Sequence, residues 1–431
     1  MKSAVGPDCR REASPARGRI GMRRVMLAAA VTVTCPAGAM ETSILMSPAP
    51  ASGAEMGYTV ALDGTDIAIG APGENAVTGA IYAVDCATLP CTAPLRITPV
   101  DIVAGDTFGA AVSVSGDTMA ATAPGPEPGA AYVYIRDGVG WTQQARLTPS
   151  GGSTGERFGV SASLSGDRLA VGADRANGRA GAVYVFVRNG ATWTQEARLT
   201  ASDPAPRDAL GNSISLDADT LLVGAPMKRR AAANTYANGA AYVFTRDAGG
   251  WTQQAKLSNA ASANGDLFGF AVDVAGDRAV IGAPYAASAQ GLAYVFMRSA
   301  GVWSQQAQLA ASAGAAGDEF GWSVALGDDS ILVGAPFAGQ LADAPCGGSY
   351  VFDGALLTQT GVGSVEAPLL NEMTGWSIAA SGARWIGGAP GHIVGVDDHA
   401  GAAYWFDPTV TLFHAGFDLA GACVAAEEPR G

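Results

Sequence analysis

The sequence has little charge, few aromatic residues and no long hydrophobic run. Charged residues make up 15% and aromatic residues 7% of the 431 positions, whereas 48% are hydrophobic. A disordered chain needs low hydrophobicity and high charge, so this composition excludes one. No apolar run reaches the roughly 18 residues of a membrane-spanning helix. The 58 glycines follow no three-residue period, which excludes collagen. The composition therefore indicates a globular protein rich in turns.

Histidine is scarce as well, and the common catalytic motifs are missing. The three histidines, His392, His399 and His414, all lie in the last part of the chain. Gly-x-Ser-x-Gly occurs once, at residues 151–155, but no helical pattern follows it to form a strand-to-helix elbow. There is no His-Glu-x-x-His zinc helix and no glycine-rich phosphate loop. These absences favour a protein that is not an enzyme. Polar residues from distant parts of the chain can still converge in space, so an enzyme of the hydrolase or lyase type is the alternative.

Residues 1–39 have the pattern of a cleaved leader. Arg23 and Arg24 precede the short apolar stretch 25–33, and small residues follow at 37–39. This order is typical of a signal peptide, so we predict an exported protein that is secreted, periplasmic or on the cell surface. Removal of the leader leaves a net charge of −18, which repels phosphate backbones and anionic membranes. We therefore expect no nucleic-acid partner and no membrane insertion, and we expect a monomer.

Four of the six cysteines lie beyond the leader, and an even number in an exported protein suggests disulfides. Cys86 and Cys91 bracket one short loop, so we expect them to pair with each other. Cys346 and Cys423 then remain for a second pair. A metal or redox site is the alternative, but these cysteines lack histidine partners and the two-residue spacing of such sites.

The dominant feature of the sequence is a repeat in seven copies. The glycine of its first mark recurs after 52, 50, 52, 58, 52 and 54 residues. This mark is Phe-Gly or a degenerate form of it: Met56-Gly57, Phe108-Gly109, Phe158-Gly159, Leu210-Gly211, Phe268-Gly269, Phe320-Gly321 and Thr374-Gly375. About fourteen residues later comes Gly-Ala-Pro or a variant: Gly70-Ala71-Pro72, Ala123-Pro124, Gly172-Ala173-Asp174, Gly224-Ala225-Pro226, Gly282-Ala283-Pro284, Gly334-Ala335-Pro336 and Gly388-Ala389-Pro390.

Each copy contains four short strand candidates separated by turn residues, and none contains a sustained helical period. Four strands repeated every 40–55 residues indicate a β-propeller. We therefore predict an all-β fold, a seven-bladed β-propeller of four-stranded antiparallel blades. It occupies residues 40–415, with a C-terminal tail at 416–431. The last strand of blade seven is expected near Thr409–His414, or residues 41–50 add a strand to that blade.

The Phe-Gly and Gly-Ala-Pro marks together resemble FG-GAP repeats. The chain is similar to the propeller of integrin α subunits and, more closely, to exported bacterial FG-GAP repeat proteins. The resemblance implies that Phe-Gly begins the innermost strand A of a blade and that Gly-Ala-Pro ends strand B. It also implies adhesion or the binding of a protein or carbohydrate ligand, without chemistry of its own.

Integrin-type propellers carry calcium in several A–B loops, and this chain departs from that pattern. Its A–B connections are tight turns such as Ser115-Gly116-Asp117 and Ser165-Gly166-Asp167. Calcium takes six to eight oxygen ligands, and these turns offer one or two carboxylates each. We therefore expect no cofactor and no calcium dependence of folding.

An acidic residue stands three positions before the repeat glycine in six copies: Asp106, Glu156, Asp208, Asp266, Asp318 and Glu372. One interpretation is a ring of carboxylates near the axis that holds cations. The other is a capping residue whose oxygens accept backbone N–H bonds in the D–A loop. Recurrence in nearly every blade favours capping, because structure must repeat and a ligand site need not.

Three further groups are candidate site residues. His392, Asp397, Asp398 and His399 form a polar cluster that could ligate a transition metal, although chance clustering in a surface loop is commoner. The recurring Trp141, Trp193, Trp251 and Trp303 are expected to pack between blades. Trp322 and Trp376 directly follow the repeat glycine and are the better candidates for ligand contact.

Loop lengths select one face of the predicted propeller for binding. The A–B turns are short and uniform, whereas the B–C loops range from about five residues in blade two to a dozen in blade four. Function concentrates in variable loops on a rigid scaffold, so we predict a ligand on the B–C/D–A face. The blade-four loop carries Lys228, Arg229 and Arg230, which suggests an acidic partner such as a carboxylated polysaccharide. A solvated loop with incidental charge is the alternative.

Overall fold

A computed structural model of the protein describes nine ranges of the chain. They are residues 42–88, 90–125, 129–138, 140–229, 237–259, 265–339, 346–363, 372–394 and 399–406. The predicted leader, the predicted strand near Thr409–His414 and the tail at 416–431 lie outside them.

The described residues form seven four-stranded antiparallel sheets, which confirms the predicted seven-bladed β-propeller. Blade one consists of β2 (Thr59–Asp63), β3 (Asp66–Ala71), β4 (Ala80–Asp85) and β5 (Leu95–Ile97), and blade two of β6 (Val112–Ser115), β7 (Thr118–Ala123), β8 (Ala130–Arg136) and β9 (Trp141–Leu147). Blade three consists of β10 (Phe158–Ser165), β11 (Arg168–Ala173), β12 (Ala182–Asn189) and β13 (Thr192–Leu199), and blade four of β14 (Ile214–Asp217), β15 (Thr220–Ala225), β16 (Ala240–Asp247) and β17 (Gly250–Leu257). Blade five consists of β18 (Val272–Ala275), β19 (Arg278–Ala283), β20 (Leu292–Ser299) and β21 (Val302–Leu309), and blade six of β22 (Ser323–Leu326), β23 (Ser330–Ala335), β24 (Gly348–Asp353) and β25 (Gln359–Gly363). Blade seven consists of β26 (Ser377–Ser381), β27 (Arg384–Ala389), β28 (Ala402–Phe406) and, from the start of the described chain, β1 (Thr42–Leu45).

The first strand of each blade, strand A, lies nearest the axis and contacts the A strands of the neighbouring blades. The ring closes in blade seven, where β1 pairs antiparallel with β28, from Thr42 opposite Phe406 to Leu45 opposite Ala403. The outer strand of blade seven therefore comes from residues 42–45, as one of the two sequence-based alternatives predicted. Pairing of the first strand with the last joins the two ends of the propeller through one sheet.

Three B–C loops contain a short helical turn: α1 (Glu74–Val77), α2 (Ala176–Arg179) and α3 (Ala286–Ala289). Each turn contains residues in the left-handed region, with φ of 49° at Asn75, 52° at Asn177 and 53° at Ala287. Such conformations are costly outside glycine, so the B–C loops are held in shape by their surroundings.

The hydrophobic core consists of seven clusters, and each fills the junction between two neighbouring blades. The Phe-Gly phenylalanine packs on the aromatic residues of strand C. For example, the rings of Phe108 and Tyr132 lie 5.4 Å apart edge to face, and both residues are fully buried. Trp193 also bridges blades, because its indole N–H donates a 2.8 Å hydrogen bond to Gln144 of the preceding blade. The recurring aromatic residues are therefore blade packing.

The two glycine marks meet across the blade junctions. A Cβ atom at Gly70 would collide with the carbonyl oxygen of Gly109 in the next blade, and Gly109 has a φ of +92°. The same carbonyl accepts a 2.9 Å hydrogen bond from the Thr59 hydroxyl. This backbone-to-backbone approach explains why Gly-Ala-Pro and Phe-Gly occur together, since six of the seven junctions have a glycine on both sides and Thr122 replaces one of them at the seventh.

Candidate ligand-binding face

A cavity of about 550 Å³ opens on the B–C/D–A face over blades three to five. Its walls come from the D–A and B–C loops of these three blades. The lining residues are Arg157, Asp174, Arg175, Arg179, Arg207, Ala209, Met227, Arg229, Ala237, Gly265, Leu267 and Tyr285. The cavity therefore has five arginines and one carboxylate, in a chain whose net charge is −13.

Four of the five arginines are exposed and unpaired. Arg175, Arg179, Arg207 and Arg229 are solvent-exposed, and none of them forms an ion pair with a residue that the structure describes. Arginines elsewhere brace the blades, as in the 2.6 Å contacts of Arg188 with Asp167 and Arg298 with Asp277. The guanidinium group is planar and offers several N–H donors to carboxylate or phosphate groups. The cavity can therefore bind anions.

Asp174 is the single acidic residue of the cavity and occupies the proline position of the Gly-Ala-Pro mark. Its Oδ2 atom is 3.2 Å from Nη1 of Arg157, whereas its Oδ1 atom is buried and has no hydrogen-bond partner in another described residue. Burial raises the pKa of the Asp174 carboxyl, against the opposing charges of Arg157, Arg175 and Arg179. Asp174 thus pairs with Arg157, partly offsets the charge of two further arginines and leaves one acceptor unsatisfied.

An arc of aromatic rings lies beside this cavity at the start of the inner strands. The position after the repeat glycine is aromatic in four consecutive blades of the ring: Phe270, Trp322, Trp376 and Tyr58. Their ring centroids are 4.7 Å apart for Phe270 and Trp322, 4.7 Å for Trp322 and Trp376, and 5.7 Å for Trp376 and Tyr58. Phe337 joins them at 5.6 Å from Trp322. All five residues, which we call the aromatic arc, are half-buried.

Carboxylates lie three residues before two members of the arc, Glu55 before Tyr58 and Glu319 before Trp322. Burial raises the pKa of Glu55, and the charge of His399 opposes that effect. Burial also raises the pKa of Glu319, and Tyr285 of the cavity wall opposes that effect. The pKa of Tyr58 is raised by burial and by Glu55 and lowered by Arg157. The effect of Arg157 on Tyr58 therefore links a cavity arginine electrostatically with the arc.

The structure separates the three basic residues of the blade-four loop. Arg229 lines the cavity, and its contact with a ligand stays a prediction. Lys228 is only 7% exposed, and its Nζ lies 2.8 Å from Oδ2 of Asp208. The prediction that Lys228 presents its charge to a ligand is therefore wrong, because a buried ion pair with Asp208 holds it inside. Arg230 lies outside the described residues.

The acidic series before the repeat glycine mostly caps the D–A loops. The carboxylates of Asp106, Asp208 and Asp318 accept hydrogen bonds of 2.8, 2.7 and 2.7 Å from the backbone N–H three residues earlier. Glu156 accepts a 2.8 Å bond from the hydroxyl of Tyr184. These contacts support the capping interpretation over the cation ring.

The structure uses the carboxylates of the A–B turns for contacts within the protein. Asp63 accepts a 2.7 Å hydrogen bond from the Gly116 N–H of the next blade, and Asp217 accepts one of 2.6 Å from Gly276. Ser115 serves in the same way for Gly166, at 3.2 Å. In the described ranges, no three His, Cys, Asp or Glu side chains form a group that could hold a metal ion.

Two of the four residues of the predicted metal cluster can be placed. Nδ1 of His392 lies 2.9 Å from Oε1 of Glu372 and 3.2 Å from the Tyr404 hydroxyl. His399 lies in the same loop with a φ of 55°. Asp397 and Asp398 lie outside the described residues, so the metal cluster stays a prediction.

One predicted disulfide is present. Cys86 and Cys91 are joined, with their Cα atoms 4.3 Å apart. Cys346 is buried and disulfide-bonded. Cys423, its predicted partner, lies outside the described residues.

Sequence reasoning missed four of the five arginines of the cavity. Arg157, Arg175, Arg179 and Arg207 are scattered over 51 positions of the sequence and meet only through the propeller ring. Alignment of the seven copies holds the signal that could have found them. Arg157 directly precedes a Phe-Gly mark and Arg175 directly follows a Gly-Ala-Asp mark, so both map to the same face of blade three.

Comparison with known protein families agrees with this geometry. The model of the FG-GAP repeat matches residues 94–134, 141–186, 193–244, 251–296 and 303–352, which together exceed half of the chain. Each matched segment begins near the outer strand of one blade and ends near strand C of the next. A search of curated proteins found no match. None of the helices in the described ranges is long and apolar enough to cross a membrane.

Proposed function

The chain belongs to the FG-GAP repeat family, and from that premise we propose that it is a non-enzymatic binding propeller that holds an acidic ligand in the arginine cavity. The family and the fold are consistent with a binding or adhesion role. The ligand lies on the B–C/D–A face, against the loops of blades three to five. The binding unit is one propeller, without a cofactor or nucleic acid.

The four unpaired arginines of the cavity carry this proposal. Guanidinium groups clustered on a single wall of an otherwise acidic protein create a local positive potential that attracts anions. A second cavity, of about 370 Å³ on the A–B face, contains both Asp277 and Arg278. Arg278 already donates a 2.7 Å hydrogen bond to the Gly327 carbonyl oxygen. Its charge is therefore in use, and the arginine cavity is the better anion site.

Export fits the same proposal. The leader at residues 1–39 lies outside the described residues, so the support comes from the Cys86–Cys91 disulfide. Disulfides persist in oxidising compartments and are rare in the cytosol. We place the protein outside the cytoplasm, where acidic polysaccharides and acidic protein surfaces are both accessible to it.

An enzyme is the second candidate function, and one observation favours it. Glu55, Glu319 and Asp174 all have raised pKa values at or near the cavity, and shifted carboxyl groups cluster at catalytic sites. A lyase or hydrolase would consume the bound ligand. Release of new chain ends from polygalacturonate during incubation with the protein would establish this second candidate and contradict the first.

Charge reversal in the cavity tests the proposed function. We expect Arg175→Glu and Arg207→Glu each to weaken binding of polygalacturonate or poly-L-glutamate by about tenfold or more, because a hydrogen bond to a charged group contributes about 1.5–3 kcal/mol. The melting temperature should stay near that of the wild type, since neither arginine braces a blade. Titration calorimetry at low and physiological salt measures the affinity, and binding should weaken as salt increases.

Arg146→Glu is the matched control for these variants. Its side chain is 43% exposed and pairs with the equally exposed Asp101 on blade two, outside the cavity. The change in net charge is the same, so a general electrostatic effect would appear in all three variants. Absence of binding to both polymers, or equal losses in the control and the cavity variants, would contradict the proposed function.

A further inference from the structure

The aromatic arc is a one-sided feature of the ring. The position after the repeat glycine is Phe270, Trp322 or Trp376 in blades five to seven and Tyr58 in blade one. In blades two to four it is Ala110, Val160 or Asn212. A purely structural requirement of the propeller would place similar side chains in all seven blades. The arc therefore has a role that is confined to blades five to seven and blade one.

The rings of the arc are not part of the buried core. The Phe-Gly phenylalanines, such as Phe268 and Phe320, are 0% exposed, whereas the neighbouring Phe270, Trp322 and Trp376 are only half-buried. Exposed clusters of large apolar groups mark interaction surfaces. Tryptophan is also prominent among the residues that dominate binding energy. The arc therefore offers flat apolar ring faces to a ligand.

Backbone hydrogen bonds place the arc beside the arginine cavity. The Phe270 N–H donates a 3.0 Å bond to the carbonyl oxygen of Leu267, which lines the cavity. The Trp322 N–H donates a 3.1 Å bond to Glu319, whose own N–H donates to Ala289 in the B–C loop that carries Tyr285 of the cavity wall. A ligand longer than one chemical unit can therefore reach both the arginines and the rings.

Two carboxylate oxygens in this neighbourhood lack hydrogen-bond donors. They are Oδ1 of Asp174, whose residue is 7% exposed, and Oε2 of Glu319. A buried acceptor without a donor is costly. The missing partners are hydroxyl or N–H groups. The half-exposed side chain of Arg157 covers Asp174, so it would have to move aside for such a donor group to reach Oδ1. An acidic peptide brings mostly further acceptors to this place, whereas a sugar brings many hydroxyl donors.

We infer that the ligand is an acidic polysaccharide, whose carboxylates pair with the cavity arginines while neighbouring sugar rings stack on Trp322 and Trp376. This inference rests on the proposed function and specifies its ligand. The C–H faces of sugar rings match the half-buried indoles, the acid groups match the guanidinium groups, and the hydroxyls match the two unsatisfied carboxylate oxygens. An acidic protein would satisfy the arginines alone.

Binding of hexagalacturonate, neutral galactohexaose and a glutamate hexapeptide to the full chain tests the inference. We expect hexagalacturonate to bind most tightly. Trp322→Leu and Trp376→Leu should each weaken its binding by about tenfold, the usual loss at a dominant interface residue, and leave binding of the peptide unchanged. Trp141→Leu is the control, because Trp141 is also half-buried but lies on β9 with its ring under Arg136.

A second readout covers the case in which the leucine variants unfold. The chain has eight tryptophans, so nitrogen-labelled wild-type protein gives up to eight indole N–H signals. Hexagalacturonate should shift the signals of Trp322 and Trp376, and galactohexaose should shift them less at the same concentration. The inference is overturned if these signals do not shift, or if the variants bind hexagalacturonate as the wild type does. The proposed function still holds in that case, provided that binding depends on the cavity arginines. If Arg175→Glu leaves hexagalacturonate binding intact, the proposed function itself fails.

Discussion

Asp174 shows how one residue can turn a structural motif into part of a binding site. Six of the seven copies have proline after Gly-Ala or Ala, and the third has Asp174. Proline there ends strand B, whereas Asp174 ends it and also reaches Arg157 at 3.2 Å. The departure was visible in the sequence, but its meaning depended on the arginines that only the fold brings to it.

Replacement of Asp174 by the proline of the other copies tests its role. Asp174→Pro removes a negative charge from the cavity and releases Arg157, so we expect binding of the glutamate hexapeptide to strengthen by up to about fivefold, the value of a typical exposed ion pair. The melting temperature should not fall, because the ionised carboxylate is disfavoured by burial and proline suits this position in six other blades. Calorimetry and thermal unfolding measure the two effects.

The control for this variant is Asp101→Ala, which releases Arg146 on blade two without touching the cavity. It should leave peptide binding unchanged. Weaker peptide binding by Asp174→Pro would show that Asp174 organises the arginines for the ligand and does not compete with it.

The residues of the cavity differ in how far sequence could predict them. Arg229 was predicted because it stands in a basic run within a long loop. Lys228 stands in the same run, but its partner Asp208 lies 20 positions earlier, and a charge run does not show which member folds inward. Trp322 and Trp376 were predicted as ligand candidates by position alone, whereas their contact with each other at 4.7 Å required the ring.

At the scale of the elements, the A–B turns show what repetition predicts well. Their two-residue length follows from the Gly-Asp pairs, and φ is positive at the first turn residue, as with 53° at Gly116 and 57° at Gly276. Ring closure was harder, because the short segment Thr42–Leu45 has no mark of the repeat. The choice between an N-terminal and a C-terminal outer strand depends on pairing with β28, which is a long-range contact.

Removal of calcium tests the interpretation of these turns. The carboxylates of Asp63 and Asp217 already accept backbone hydrogen bonds from the next blade, so we expect the melting temperature to be the same in EDTA and in millimolar calcium. A ligand that binds the native state raises stability by RT ln(1 + [L]/Kd). A fall of about ten degrees or more in EDTA would therefore reveal a calcium site that supports the fold.

At the scale of the whole molecule, the propeller combines a symmetric scaffold with an asymmetric face. The Phe-Gly and Gly-Ala-Pro marks recur in register and predict seven blades, because both marks pack at the junctions between neighbouring blades. Arginines concentrate in blades three and four, and aromatic rings follow from blade five round to blade one. Residues that occur in only some blades do not recur with the repeat. The repeat therefore predicts the propeller, but it does not predict where the binding site lies.

Hydrogen–deuterium exchange of the full chain with and without hexagalacturonate tests most directly that the ligand occupies this sector. We predict slower exchange on binding in residues 174–181, 205–211 and 226–229, which form the arginine wall, and unchanged exchange in the A–B turns at 115–118 and 275–278. Protection confined to the A–B turns or the outer strands, or no protection at saturating ligand, would contradict a binding site on the B–C/D–A face.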